Sequence, residues 1–401
     1  MEKIKLSDRA NLMPASPIRK LASYADQAKQ RGIEVFHINI GQPDIATPQF
    51  VFEAMRSHQD RVIRYGPSPG LPELRQAISN YFNRFKLELF PEDIFVTQGG
   101  SEAIVFAMEA IANPGDNIVV FEPFYTNYSG FARMAGVDLV PVPTHVEDGF
   151  RLPPSEIIEE KINNRTRGIL ICSPNNPTGT VYRYEELKMI VRIAQKHDLM
   201  ILSDEVYREF VFDEKKHISI LDIPPAEDRS VIMDSFSKRF SMCGARIGFL
   251  ATKIPQLKDV FMRFSQARLC PATLEQIGVI AGLNHYDQFI PKMIKEYQKR
   301  RDIVFQQLSE IQGSVTLKPE GAFYCVVKLP VRDAEEFAKF MLTDFSYQQQ
   351  TTMVAPAAGF YASEGQGVDE IRIAYVLEEN SLRTSIGLLK MGIDAFNENK
   401  G

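Results

Sequence analysis

Ser235-Phe-Ser-Lys-Arg-Phe-Ser-Met-Cys-Gly-Ala-Arg246 follows without a break on residues 230–234, Ser-Val-Ile-Met-Asp, whose apolar centre reads as a buried strand. A lysine leaving the C-terminal end of such a strand points into the crevice where open α/β sheets bind their ligands. Lys238 is placed in this way. Its neighbours Ser235, Ser237 and Arg246 offer two hydroxyls and a guanidinium, which together suit a phosphate dianion through charge-assisted hydrogen bonds. Taken alone, the stretch fits an ordinary loop equally well, with serines that turn the chain and a solvated lysine.

Two further segments change that balance. Asp204-Glu-Val-Tyr207 ends another apolar run, residues 199–203, and puts a carboxylate and a phenol at a strand end. A carboxylate there is costly to bury unless it meets a positive partner, and a protonated pyridine nitrogen is such a partner. Ser173-Pro-Asn-Asn-Pro-Thr-Gly179 follows the run 168–172. Its composition is that of a plain turn, but three strand ends carrying Asn, Asp/Tyr and Lys make one polar cluster around one crevice.

The wider chain agrees with a mostly parallel sheet. Runs 117–121, 168–172, 199–203, 230–234 and 247–251 suit strands, the last four without clean alternation, as in strands buried on both faces. Residues 72–85 place Leu74, Ala77, Ile78, Tyr81, Phe82 and Phe85 on one helical face, and residues 185–197 do the same with Leu187, Ile190, Val191 and Ala194. This alternation of strand and helix predicts an α/β fold, a large domain whose mostly parallel sheet is flanked by helices. After Gly282 comes a charged helical segment, 286–311, with Pro291 as an expected kink, then shorter strands and helices. Residues 46–285 are thus expected to form the large domain. Residues 1–45, punctuated by Pro14, Pro17 and Pro43, join 286–401 as an N-terminal arm and a smaller α+β domain.

Composition narrows the function. In 401 residues with net charge −5 and pI near 5.8, acids and bases interleave throughout, so no basic stripe exists for a nucleic-acid backbone. No apolar run spans a bilayer and MEKIKLSDRA lacks a signal-peptide core, so no membrane partner and a cytoplasmic location are expected. Cys172, Cys243, Cys270 and Cys325 lack paired spacing, and the expectation is four buried thiols and no metal site.

At this point the residues carry a resemblance. The chain resembles a fold type I pyridoxal-phosphate (PLP) aminotransferase, class I/II, of the aspartate aminotransferase superfamily. Eight segments match in order: Ile40-Gly-Gln-Pro-Asp44; Tyr65-Gly-Pro-Ser-Pro-Gly-Leu-Pro-Glu-Leu-Arg75; Thr97-Gln-Gly-Gly-Ser-Glu-Ala103; Glu122-Pro-Phe-Tyr125; the Asn-Pro-Thr-Gly turn; Asp-Glu-Val-Tyr; Ser-x-Ser-Lys with Arg246; and Ile371-Arg-Ile-Ala374. Each is weak alone, and the ordered set is specific.

The resemblance implies a PLP-dependent amino acid:2-oxo acid aminotransferase, aspartate aminotransferase-like, working by ping-pong half-reactions through the pyridoxamine phosphate form. Lys238 resembles the Schiff-base lysine and proton carrier. Asp204 matches the partner of the pyridine nitrogen. Tyr207 and Asn176 resemble the pair that bonds the ring's phenolic oxygen, and Tyr125 the aromatic that stacks on the ring. The phosphate is expected at the start of a helix over 101–112, against Gly100 and the amides of Ser101 and Glu102, with Ser235, Ser237 and Arg246. Tyr65 resembles the tyrosine that reaches this phosphate from the neighbouring subunit, which implies a homodimer with shared sites. Arg372 resembles the arginine that grips the substrate α-carboxylate, and Gly41 the arm residue whose backbone faces the same substrate.

Two departures from the family pattern stand out. Ser101 replaces the lysine with which some aspartate-using members bind a distal carboxylate, and Pro356-Ala-Ala-Gly-Phe-Tyr361 replaces a Pro-Gly start. Arg268 and Lys20 are conceivable substitute cations. With Phe124, Tyr125, Phe323 and Tyr324 as expected apolar walls, a broad donor range including neutral and aromatic amino acids is predicted. An aromatic/neutral aminotransferase and a C–S β-lyase share the same cofactor cage and stay open as alternatives. A PLP-sensing regulator would need a DNA-binding segment for which the chain has no room.

Overall fold

The computed structural model describes residues 4–400. In chain order its strands are β1 (Glu34–His37), β2 (Ile94–Thr97), β3 (Asn117–Glu122), β4 (Asp138–Pro143), β5 (Thr166–Cys172) and β6 (Met200–Asp204). They continue with β7 (Ser230–Ser235), β8 (Gly248–Ala251), β9 (Tyr324–Lys328), β10 (Gln350–Met353), β11 (Ala355–Pro356) and β12 (Glu370–Ala374). Seven form the main sheet in the order β2-β8-β7-β6-β5-β3-β4. Within it β8 runs antiparallel to both neighbours and every other pair is parallel. The five runs read from sequence all become strands of this sheet, within two residues at either end.

The unbroken apolar character of these strands has a direct physical reason: both faces are covered. Alternate residues serve two separate cores. Ile169, Ile171, Ile201, Ile232 and Phe249 face one, and Leu170, Leu202, Val231, Met233 and Leu250 face the other. Each fully buried aliphatic of this kind contributes about 1.5–3 kcal/mol. The helices Pro72–Asn83 and Tyr184–Lys196 bury their predicted stripes against the first core, though Phe85 stays 42% exposed.

The remaining strands form two small sheets. β1 of the arm pairs in parallel with β10, while β11, β12 and β9 make an antiparallel trio. The arm therefore pairs with a strand 316 residues further on. The helix Tyr286–Ser309 continues through Pro291. The segment after Pro356 folds as the short 3₁₀ turn Ala357–Phe360.

The parallel neighbours β5, β6 and β7 end side by side, so the segments after Cys172, Asp204 and Ser235 share one rim of the sheet. Between that rim, the arm and the β9/β12 strands lies a cavity of about 530 Å³.

Candidate active site

Lys238 sits on the one-turn helix Phe236–Arg239, which Ser235 caps by accepting from the Ser237 amide at 3.2 Å. Its Nζ donates to the carbonyl oxygen of Gly41 at 2.7 Å. Gly41 is set by close approach, since a Cβ there would stand 1.7 Å from the Tyr324 hydroxyl. A plain turn before Pro43 would not require this. Lys238 Nζ also lies 3.8 Å from the Cys243 sulfur.

Asp204 ends β6 fully buried. Its Oδ2 accepts from the Tyr128 hydroxyl at 2.6 Å and its Oδ1 from the Val206 amide at 3.2 Å. Burial outweighs these bonds and pushes its carboxyl up to about 6. A side chain with that history gains from meeting a cation in the cavity it lines. Tyr207, also buried, shares a 3.0 Å hydrogen bond with the Tyr324 hydroxyl, and burial raises its phenol well above the ordinary range. Burial likewise pushes Tyr125 up to about 12.

Arg372 on β12 is 1% exposed. It donates to the Asn39 carbonyl at 2.5 Å and to Asn176 Oδ1 at 3.1 Å, its Nε has no partner, and burial pulls its guanidinium below the usual value. A buried cation that meets neutral oxygens and no carboxylate is a receptor for an anion. Asn176 is held by its own turn, in which Asn175 Oδ1 accepts from the Thr178 amide at 3.1 Å.

An anion cradle faces these groups. Gly100, Ser101, Ser235, Ser237 and Arg246 line the same cavity. Gly99 opens the helix Gly99–Ile111 at φ +76°, and a Cβ there would lie 2.3 Å from Arg246 Nη2. The helix starts two residues before the predicted Ser101. The Glu102 carboxylate accepts from the Gln98 amide at 2.9 Å and pairs with Arg268, and Glu102 is absent from the cavity wall. Gly100 and Ser101, in the first turn of this helix, line the cavity, and first-turn amides have no intrahelical acceptor.

Lys238, Asp204, Tyr207, Tyr125, Asn176, Arg372 and Gly41 are thus brought together with the cradle residues. Tyr65 is 83% exposed and outside this wall. Of the four expected aromatic walls, Tyr125 and Tyr324 line the cavity, whereas Phe124 and Phe323 turn into the cores. Arg268 also donates to the carbonyls of Ser68 and Val96, and Lys20 pairs with Glu335, so neither lines the cavity of its own chain. Of the cysteines, Cys172 and Cys325 are buried, but Cys243 and Cys270 are half-buried, Cys270 accepting from the Gly66 amide at 3.2 Å. Tyr128, Asn39 and Arg19 at the site were not read from sequence; Tyr128, three residues after Tyr125 at the start of the helix Asn127–Ala135, carried the one local signal.

The family model for aminotransferase class I and II matches residues 33–382. The chain belongs to this family. Among class I/II aminotransferases it is 35% identical over 391 residues to "Putative aminotransferase YugH" of Bacillus subtilis, covering 96% of this chain and 97% of that one. It is 33% identical to "Aromatic-amino-acid aminotransferase 2" of Thermococcus litoralis, covering 95% and 96%. The solved aspartate aminotransferase of Thermus thermophilus with maleate superposes with a TM-score of 0.86 at 29% identity, over 97% of this chain and 99% of that one. As an aminotransferase, the chain acts on amino acids and 2-oxo acids. Among its described residues no helix is long and apolar enough to cross a membrane, and no cluster of potential metal ligands occurs.

Proposed function

We propose that the chain is a PLP-dependent, aspartate aminotransferase-like enzyme that acts as a homodimer. The observation that carries this reading is the convergence, in one cavity, of a lysine amine, a buried carboxylate and a buried arginine that lacks an acidic partner. PLP fits that donor set: its phosphate suits the Gly100–Ser101 amides, Ser235, Ser237 and Arg246, and its ring nitrogen suits Asp204. When bound it supplies an electron sink for the pair left behind when the substrate's Cα loses its proton.

Each residue then has a task. Lys238 anchors the cofactor and, once released by substrate, moves the proton at Cα. Asp204 keeps the ring nitrogen protonated. Tyr207 and Asn176 bond the ring's phenolic oxygen, Tyr125 stacks on the ring, and Arg372 orients substrate through its α-carboxylate. The division at residues 45/46 and 285/286 belongs to this reading, which places the lysine in the large domain and Arg372 in the small one. Relatives named for aspartate and for aromatic amino acids, and a relative solved with the dicarboxylate maleate, support the substrate class. Loading the protein with PLP and following its absorbance against aspartate, glutamate, alanine, phenylalanine and kynurenine tests the reading. Conversion to the pyridoxamine band by at least one donor, reversed by 2-oxoglutarate, is expected, and no conversion by any donor defeats it.

Tyr65, exposed on the single chain, supports the dimer. Tyr65→Phe is expected to weaken cofactor retention about tenfold, the loss of one charge-assisted hydrogen bond. Neither a Tyr65→Phe dimer nor a Lys238→Ala dimer has an intact site, but mixing the two chains restores one site in two. A mixed dimer with no recovered activity would show that the sites are not shared.

A further inference from the structure

Four basic side chains line the cavity, Arg19, Lys238, Arg246 and Arg372, against one acid, Asp204. The proposed function employs three of these cations, on the covalent anchor, the phosphate and the α-carboxylate, and uses Asp204 on the ring nitrogen. Arg19 is left over. It is exposed, and among the described residues no ion pair or side-chain hydrogen bond engages it. Arg372 lies buried in the cavity, whereas Arg19, Ile40, Gln42 and Asn127, and Arg246 of the phosphate cradle, are exposed at its opening.

The arm holds Arg19 at that mouth through its backbone. Pro17 packs so closely on Gly359 that a Cβ there would come within 2.3 Å of the proline ring, and Ile18 packs on the cluster of Ala355, Ala357 and Phe360. The Ile18 carbonyl accepts from Asn39 Nδ2 at 3.4 Å, and the Asn39 carbonyl accepts from Arg372 Nη2 at 2.5 Å. The residue beside Arg19 is therefore two hydrogen bonds from the guanidinium that meets the α-carboxylate.

We propose that Arg19 is the specificity-determining cation that reads an acidic group at the end of the substrate side chain, selecting dicarboxylic amino and 2-oxo acids over monocarboxylic ones. The assignment rests on the proposed function of the same site. Solvated in the free protein, Arg19 needs no resident partner, so its pairing energy is realised when a second carboxylate arrives and is absent for alanine or phenylalanine. Ser101, which stands where some relatives carry a lysine, leaves that task to the arm, and Arg268 and Lys20 are engaged elsewhere.

The test compares wild type, Arg19→Met and Arg19→Lys as PLP-loaded full-length protein. One measurement is the ratio of kcat/KM for glutamate to that for alanine. The other is calorimetric binding of succinate and of butyrate, which share a four-carbon chain, differ by one carboxylate and need no turnover. Arg19→Met is expected to lower both the glutamate:alanine ratio and the succinate:butyrate preference about tenfold, the yield of one charge-assisted pair at a partly solvated site. Arg19→Lys retains most of each, since the charge stays. Unchanged preferences in Arg19→Met, or equal losses for the mono- and dicarboxylate, overturn the assignment while leaving transamination in place. A wild type that transaminates no donor, yet loses succinate preference in Arg19→Met, defeats the proposed function and keeps Arg19 as the dicarboxylate reader.

Discussion

Lys238→Ala is expected to lower transamination by at least about 10⁴-fold while the protein still binds PLP through its phosphate. The separation follows from the geometry. The amine approaches the cavity from the helix Phe236–Arg239 and touches the Gly41 carbonyl, whereas the cradle is built from the start of the helix Gly99–Ile111, two serine hydroxyls and Arg246. Truncating the lysine removes one hydrogen bond, so the cofactor-free protein should keep its stability to within about 1 kcal/mol. Single-turnover absorbance with saturating donor, alongside equilibrium dialysis of PLP, reads both halves. Turnover above about a hundredth of wild type would remove Lys238 from the chemistry. Complete loss of PLP binding would show that anchor and cradle are not separable.

Asp204→Asn carries the second large effect, and it acts in opposite directions on activity and stability. Activity should fall by about a thousandfold, because a neutral amide no longer holds the ring nitrogen protonated. Stability of the cofactor-free protein should rise at neutral pH. Burial lifts the Asp204 carboxyl up to about 6, above its unfolded value near 4. A carboxyl raised on folding contributes its full stability below the unfolded value, and loses it as pH rises through 6 and the buried group must ionise. Two pKa units correspond to about 3 kcal/mol, an upper bound on the gain from a side chain that never ionises. Tyr128, whose hydroxyl donates to Asp204 at 2.6 Å, can donate to the amide oxygen in the same place, but the amide nitrogen then faces the Val206 amide and that 3.2 Å hydrogen bond is lost, which lowers the gain by about 1 kcal/mol. Denaturant unfolding at pH 5 and pH 8 checks this: the advantage of Asp204→Asn should grow between the two, and an advantage independent of pH would mean that the buried charge is not its origin. A residue that weakens the empty protein and drives the loaded one is the expected signature of a functional site.

What the sequence determined by itself was whatever is local. Short runs of Ile, Leu and Val without alternation suit strands covered on both faces, and β5, β6 and β7 bear this out with their two separate cores. Because those strands are parallel neighbours, the residues directly after each were legible as one rim, and Asn176, Asp204 and Lys238 line one cavity there. The tertiary structure decided what depends on contacts between distant residues. The Gly99–Ile111 helix starts earlier than its local sequence suggested, its Gly99 lies against the Arg246 guanidinium, 147 positions away in sequence by subtraction, and the Glu102 carboxylate pairs with Arg268. Phe323 and Tyr324 are adjacent in sequence and both pack in the first core, but only Tyr324, the first residue of β9, also reaches the Tyr207 hydroxyl and the cavity. The arm shows the same limit. Nothing in its local composition marks Arg19, since its place at the cavity mouth follows from Pro17 packing on Gly359 and from Asn39 bridging Ile18 to Arg372. Periodicity and turn chemistry act over a few residues and can be read along the chain; an arm's docking is the sum of contacts with distant residues, from Lys238 on Gly41, 197 positions away, to Arg372 on Asn39, 333 positions away, and it exists only once the chain has folded.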